Sequence, residues 1–329
     1  MPKVNVIITT YNRANLVCQA IESVLEQTYQ DVEIILVDDG STDDTKDVLH
    51  SYIKKNQIVY HYQSNQGLSA ARNKGIRLSK GQYLKFLDND DFLYEKQIEL
   101  QVKDLEENHT DISISDYHAL LENGILEENR HVIDLQEPLL SFIQNNKTCV
   151  HAVLMRKEWL EKVGGFDEHL KACEDYDLWF RMILEGAKIS KIDYIGCCYR
   201  FLSSSMTTDY NTMFFNKMVV FEKLNKELLQ RQINITPPFR KRLWLSNMKL
   251  LHECLLRKYD MNQYSVHMMQ MMEQIYLQDR KFLKWLFIKL FRMKAYVYLQ
   301  FYRTCLKNWN YKADLLQRGV LWRQTPALN

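Results

Sequence analysis

Residues 4–47 read VNVIITTYNRANLVCQAIESVLEQTYQDVEIILVDDGSTDDTKD, and this stretch decides the fold class. It opens on an apolar, β-branched run ending at Thr9, after which Leu16, Val17, Ala20, Ile21, Val24 and Leu25 recur at helical spacing. Residues 32–38 are again almost continuously apolar, the pattern of a strand covered on both faces. Ser41-Thr42-Asp43 then suits the cap of a second helix. The alternation continues outward with a strand at 58–62, a helix at 68–79 and, after Gly81, a strand at 82–88. Strand, helix and strand at this pitch predict right-handed βαβ units on a mostly parallel central sheet flanked by helices. Ligands of such sheets bind outside the carboxyl ends of the strands.

Glycine usage sets the larger organisation. Nine of the ten glycines lie between Gly40 and Gly196, and the last is Gly319. Glycine marks tight turns between short elements, so the expectation is an α/β domain over residues 1–209 and an all-helical region over 210–329.

With 46% hydrophobic and 26% charged residues in a chain of 329, the composition is that of a folded protein and not of a disordered one. A formal net charge of +2 argues against a nucleic-acid binder, but the charge is polarised. Residues 280–329 hold 11 basic side chains and one acidic residue, Asp314, leaving a net −8 on the preceding 279. No apolar run reaches 18 residues and the first ten lead straight into a strand pattern, which predicts a cytoplasmic, non-spanning protein. The seven cysteines are scattered, with no C-x-x-C, and are expected to be free thiols without a disulfide framework or a zinc site.

Polar clusters follow three of the predicted strands: Thr9-Thr10-Tyr11-Asn12, Asp38-Asp39-Gly40-Ser41 and Asp88-Asn89-Asp90-Asp91. No G-x-G-x-x-G follows the first strand and no G-x-x-x-x-G-K-[ST] is present, so a phosphate ligand must be neutralised by other means. In an extended segment Asp88 and Asp90 would share one side and Asp91 would face the other. Two carboxylates on one face suit a hard divalent ion such as Mg2+ or Mn2+. A solvated acidic turn capping a helix from near Tyr94 fits the same string, and the string alone leaves both readings open.

Five motifs, in this order and spacing, carry a family resemblance: residues 4–47 quoted above, NQGLSAARNKGI (65–76), GQYLKFLDNDD (81–91), VGGFDE (163–168) and CEDYDLWFRM (173–182). Together they resemble glycosyltransferase family 2. The resemblance implies an inverting, metal-dependent sugar transferase of the GT-A fold that uses a nucleotide-activated sugar. It implies that Thr9 and Tyr11 line the nucleotide pocket, that Asp39 holds the base (usually uracil), and that Arg72 contacts the diphosphate or orders the site around it. Asp88 and Asp90 match the D-x-D positions, Asp90 as the metal ligand and Asp88 as a nucleotide or metal contact, with Asp91 extending the metal set. Glu174-Asp175 matches the acidic pair whose aspartate is the general base. Asp167 and Trp179 are candidate acceptor contacts, although a structural turn and core packing suit them as well. A mobile Ser/Thr-rich loop is expected over 201–209. The absence of Q-x-x-R-W points away from processive polymerisation, towards single-sugar addition, and the basic charge of residues 280–329 suggests a hydroxyl of a glycan or lipid-linked oligosaccharide as acceptor, in bacterial surface polysaccharide synthesis. The competing reading is a non-catalytic module that binds nucleotide sugar or glycan.

The resemblance fades past Asp209. On a helical wheel Phe282, Leu283, Leu286, Phe287, Leu290 and Met293 share an arc opposite Arg280, Lys281, Lys284, Lys289 and Arg292. This predicts an interfacial helix that attaches the protein peripherally to the anionic inner face of the cytoplasmic membrane. Packing of this region in a bundle or a homo-oligomer is the alternative.

Overall fold

The computed structural model describes residues 3–203, 205–231, 236, 239, 241–243, 245–247, 249 and 250. The basic stretch from Arg280, with its apolar arc Phe282, Leu283, Leu286, Phe287, Leu290 and Met293, lies outside these residues. The chain divides into two compact units, Met1–Leu224 and Asn225–Asn329. The site is built in the first.

Its elements are β1 (Val4–Thr10), α1 (Ala14–Leu25), β2 (Val32–Asp38), α2 (Thr45–Lys54), β3 (Ile58–Tyr62), α3 (Leu68–Leu78), β4 (Tyr83–Asp88), β5 (Phe92–Leu93) and α4 (Gln97–Glu107). They are followed by β6 (Ile112–Leu121), β7 (Leu126–Asn129), α5 (Pro138–Gln144), a 3-10 turn (Val150–Ala152), β8 (Val153–Arg156), α6 (Lys157–Val163), α7 (Glu174–Leu184) and β9 (Ile189–Phe201). A second 3-10 turn, Met206–Thr208, precedes α8 (Tyr210–Gln230). Among the described residues no helix is long and apolar enough to cross a membrane.

The sheet runs in the order β3-β2-β1-β4-β8-β6-β9-β5, with β7 paired to β6. β1 pairs in parallel with β2 and β4, and β2 with β3. The register sets Thr9 opposite Val37 and Asp88, and Thr10 opposite Asp38, so the three strands deliver their polar carboxyl ends to one edge. Beyond β4 the sheet is mixed. β8 is antiparallel to β4 and β6, while β6 and β9 run parallel through a bulge near Asp116. The expected parallel arrangement therefore holds for β1 to β4 and for the β6–β9 pair, while β5, β7 and β8 pair antiparallel; these later strands carry no signal in the 4–88 alternation.

Packing explains the local choices. All seven residues of β1 are buried, as its apolar run requires. Val17, Ala20, Ile21 and Val24 of α1 cover one face in a cluster with Val6, Ile8 and Leu36, and each large side chain so buried contributes about 1.5–3 kcal/mol. Gly75 sits inside α3, where helices disfavour glycine, because a Cβ there would collide with the Ile7 side chain. Asn5 is the polar residue of this layer. Its Oδ1 accepts the Lys80 and Gly81 N–H groups at 2.9 and 2.6 Å, and its Nδ2 donates to Glu33 Oε2 at 2.8 Å, fixing the turn into β4.

Candidate active site

A cavity of about 810 Å3 opens at the carboxyl edge of β1, β2 and β4. Thr9, Tyr11, Asp39, Arg72, Asp88 and Asp90 line it from one side, and Glu174 and Asp175 from the start of α7. Eight of the eleven residues singled out in sequence thus reach it or border it directly, and Asp91 lies just beneath.

The acidic motif is a turn and not an extended segment. Asn89 and Asp90 occupy turn positions, and the Asp91 N–H donates back to the Asp88 carbonyl at 3.1 Å. The alternation expected for Asp88, Asp90 and Asp91 therefore does not apply. Asp91 is wholly buried; its Oδ1 accepts the Arg200 N–H at 2.6 Å, and the Arg200 guanidinium donates to the Asp90 carbonyl and to Gln19 Oε1. The helix that follows begins at Gln97, later than Tyr94.

Asp39, at the end of β2, is held by three donors: Gln63 Nε2 at 2.8 Å, the Gln66 N–H at 2.9 Å and the Gly67 N–H at 2.8 Å. A carboxylate offers about four acceptor positions, so one more donor can be received from the cavity. Asp38 is spent on structure, accepting the Ser41 N–H at 2.8 Å and the Tyr60 hydroxyl at 2.9 Å. Tyr11 stands at the rim, about half exposed.

Arg72 ties the two sides together. It is 2% exposed, and its guanidinium donates from Nη2 to Asp88 Oδ1 and from Nη1 to Glu174 Oε1, both at 2.6 Å, above the Phe166 ring. Burial alone would lower its pKa, but the two carboxylates outweigh this and hold it fully charged. The Asp88 carboxyl is pushed up by burial and pulled back further, below its ordinary range, by Arg72 and His151. For Asp90, burial together with the Asp88 charge raises the pKa against the weaker pull of Arg13 and Arg200. Asp91 is raised well above the usual range by burial and by its two acidic neighbours.

Excess negative charge is concentrated here, which is what a cation would relieve. Ligand atoms of Asp88, Asp91 and His151 lie within 4.8 Å of one another. Asp91 Oδ2 and both ring nitrogens of His151 are buried without a hydrogen-bond partner among the described residues, a condition that costs about 1–3 kcal/mol for each buried group left unpaired. This oxygen-rich donor set fits a hard divalent cation. His151 is a residue that sequence reasoning missed. It sits in the 3-10 turn just before β8, with nothing in its spacing to mark it.

Asp175 faces the acidic turn from the other side of Arg72. Cys173 precedes it at φ +58°, a left-handed conformation uncommon for a residue with a side chain, and this sharp entry starts α7 with Glu174, Asp175 and Asp177 in its first turn. The helix N-terminus favours these carboxylates. Asp175 accepts from Asn146 Nδ2 at 3.0 Å and from the Tyr176 N–H at 2.6 Å. Burial and the adjacent Glu174 charge push its pKa to about 7, against the pull of Asn146 and Arg72. A carboxylate with this pKa can take a proton near neutral pH. Asn146, also absent from the sequence reading, comes from the loop after α5 and had no motif to betray it.

The remaining two candidates stand apart. Trp179 is 2% exposed within α7 and outside the cavity lining, so it packs in the core and presents no platform to an acceptor. Asp167 is also outside the lining. It accepts Lys223 Nζ at 2.8 Å and the His169 N–H at 2.9 Å, which makes it a fastening for α8. The segment expected as a mobile loop continues β9 to Phe201 and then forms the Met206–Thr208 turn, from which Ser205, Met206 and Thr207 border the cavity.

Comparison with known proteins agrees with this geometry. Residues 5–164 match the family Glycosyl transferase family 2. An uncharacterized glycosyltransferase of Rickettsia conorii is 38% identical over 182 residues, 54% of this chain and 29% of that protein. The chain thus spans less than a third of the length of that relative. Among solved structures, residues 1–349 of Staphylococcus aureus TarS in complex with UDP-GlcNAc superpose with a TM-score of 0.62 at 18% identity, covering 83% of this chain and 80% of that one. A mannosyltransferase of Pyrobaculum calidifontis in complex with GDP-Man and Mn2+ gives a TM-score of 0.53 at 16% identity, covering 92% and 82%. The fold is of the GT-A type. The domain that carries this cavity is thus similar to glycosyl transferase family 2, whose model it matches over residues 5–164.

Proposed function

We propose that the chain is an inverting, divalent-metal-dependent glycosyltransferase that moves one sugar from a UDP-sugar to a hydroxyl of a glycan or glycolipid acceptor. The observation that carries this reading is the placement of Asp175, with a pKa near 7, across one cavity from the Asp88–Asp90 turn, with Arg72 tying Asp88 of that turn to Glu174 beside Asp175. The solved relatives that hold UDP-GlcNAc, or GDP-Man with Mn2+, support a nucleotide-sugar donor and a metal.

On this reading Thr9, Tyr11 and Asp39 receive the nucleoside, the carboxylate of Asp39 taking the imide N–H of uracil at its remaining acceptor position. Asp88 and Asp90 would hold the cation, with Asp91 and His151 behind them. When bound, the metal neutralises charge that develops on the departing diphosphate. Asp175 removes the proton of the acceptor hydroxyl as its oxygen bonds to the anomeric carbon; the bond to the diphosphate oxygen breaks on the opposite face, and the electron pair leaves with the nucleotide. Arg72 positions both groups: its Nη atoms are engaged by Asp88 and Glu174, so it holds the two halves at a fixed separation. Peripheral attachment through the basic stretch after Arg280 would bring a lipid-carried acceptor to this mouth, as part of surface polysaccharide synthesis. Equal recovery in liposome flotation of the full chain and a chain ending at Gln278 would refute that attachment.

A thermal-shift screen of nucleotide sugars with and without Mn2+ tests the donor assignment, since a ligand bound to the native state raises its melting temperature. A UDP-sugar is expected to stabilise the protein, and more so with Mn2+. Stabilisation by none of them, or equally with and without metal, contradicts the proposal.

A further inference from the structure

Beneath the acidic turn the fold assembles a second group of metal-binding side chains that the sequence keeps far apart. Cys149 and His151 flank Val150 at the first 3-10 turn, and Cys197 meets them from β9. The two sulfurs and a ring nitrogen lie within 4.8 Å of one another. Cys197 and His151 are wholly buried, whereas Cys149 borders the cavity, so the group has an entry path. Neither nitrogen of His151 nor Oδ2 of Asp91 has a hydrogen-bond partner among the described residues, and Asp91 Oδ2 lies 3.4 Å from His151 Nδ1. Three donors therefore face one small volume, two thiols and one imidazole, and the Asp91 oxygen lies beside that imidazole.

We propose that Cys149, His151 and Cys197 form a site for a thiophilic divalent cation of the zinc class, with a water oxygen as the fourth donor. Two sulfurs, a nitrogen and an oxygen are the tetrahedral set zinc takes, with Zn–S of about 2.3 Å and Zn–N of about 2.0 Å. Those bond lengths place neighbouring donors about 3.5–3.8 Å apart, so the present spread closes by about 1 Å of side-chain movement. Ligation releases the two thiol protons to solvent. Sulfur donors select such an ion over Mg2+ or Mn2+, which the oxygen-rich side of the same cavity suits better. His151 belongs to both groups, so the sulfurs are what separates the two sites.

The test uses the full chain, stripped of metal and kept reduced, titrated with Co2+ alone and then with Zn2+. The expected result is a near-ultraviolet sulfur-to-cobalt charge-transfer band with tetrahedral visible bands, discharged by stoichiometric Zn2+. Cys149→Ser and Cys197→Ser each lose most of the band and weaken Co2+ binding about tenfold or more. Cys198→Ser keeps it, since adjacent strand residues point to opposite faces, and so does Asp90→Ala, which removes only the hard-cation side. Cys149 is partly exposed, so its serine variant melts with the wild type and remains decisive should the buried Cys197→Ser fail to fold. Absence of the band in wild type, or its persistence in Cys149→Ser, overturns the site. None of these readouts depends on sugar transfer, so the proposal stands or falls separately from the enzymatic reading.

Discussion

The two halves of the catalytic unit reach the same cavity by different physical routes. In the half built from β1 to β4, parallel strands in continuous register bring Thr9, Asp39 and Asp88 to a common edge, and backbone geometry alone places them. In the half that follows, the sheet reverses at β8, bulges in β6 near Asp116, and delivers Asn146, His151 and Asp175 from a loop, a 3-10 turn and a helix start entered at φ +58°. The first half follows a local rule; the second depends on tertiary meetings. Arg72, from the first half, is the side chain that holds Glu174 of the second at the distance the site needs.

Breaking that link gives the largest effect. Arg72→Ala leaves Glu174 and Asp88 facing each other without their buried cation, and removal of one partner from such a pair costs about 3–5 kcal/mol. Denaturant unfolding should register a loss of that order, together with loss of transfer; a loss below about 1 kcal/mol would mean that the halves are held by their packing alone. Next, Asp90→Ala attacks the first half only. It should abolish the Mn2+-dependent part of donor binding and lower transfer about a hundredfold, the equivalent of a few kcal/mol of charge stabilisation, while leaving the melting temperature of the metal-free protein unchanged or raised, because Asp90 is a half-buried carboxylate with a raised pKa. The smallest effect belongs to Asp167→Ala. Its ion pair with Lys223 is partly exposed and lies outside the cavity, so stability should fall by less than about 1 kcal/mol and transfer should stay within about twofold of wild type. A specific rise in acceptor KM in this variant would return Asp167 to the acceptor site.

The same contrast governs what could be seen in the sequence. β2 and β3 match their predicted spans, and β1, α3 and β4 differ by one residue at an end, because apolar runs and glycine turns encode them locally. Thr9, Asp39, Asp88 and Asp90 were legible for the same reason: they end those strands. His151 and Asn146 were not, since a histidine before an apolar strand and an asparagine in a loop carry no periodic signal. The D-x-D string was found but its geometry was misjudged, because side-chain alternation fails where the chain turns at Asn89. Trp179 was ambiguous in sequence, where aromatic residues serve cores and sugar platforms alike, and only its burial separates the two.

The central claim is that Asp175 is the base, and its titration differs from that of an ordinary aspartate. Its pKa is raised to about 7 by burial and by Glu174, so the protonated form is favoured in the fold; this contribution to stability is present at low pH and is lost as pH rises through about 7. Asp175→Asn should therefore gain stability relative to wild type above pH 7. Transfer has the opposite sign, since the base must be ionised: the wild-type rate should fall about tenfold per unit as pH drops below about 7. The most direct measurement pairs the transfer rate of Asp175→Asn with its affinity for UDP-sugar in the presence of Mn2+. The account predicts a rate lowered about 10²–10⁴-fold with donor affinity kept within about threefold of wild type; near wild-type transfer, or a loss explained wholly by failed donor binding, would contradict it.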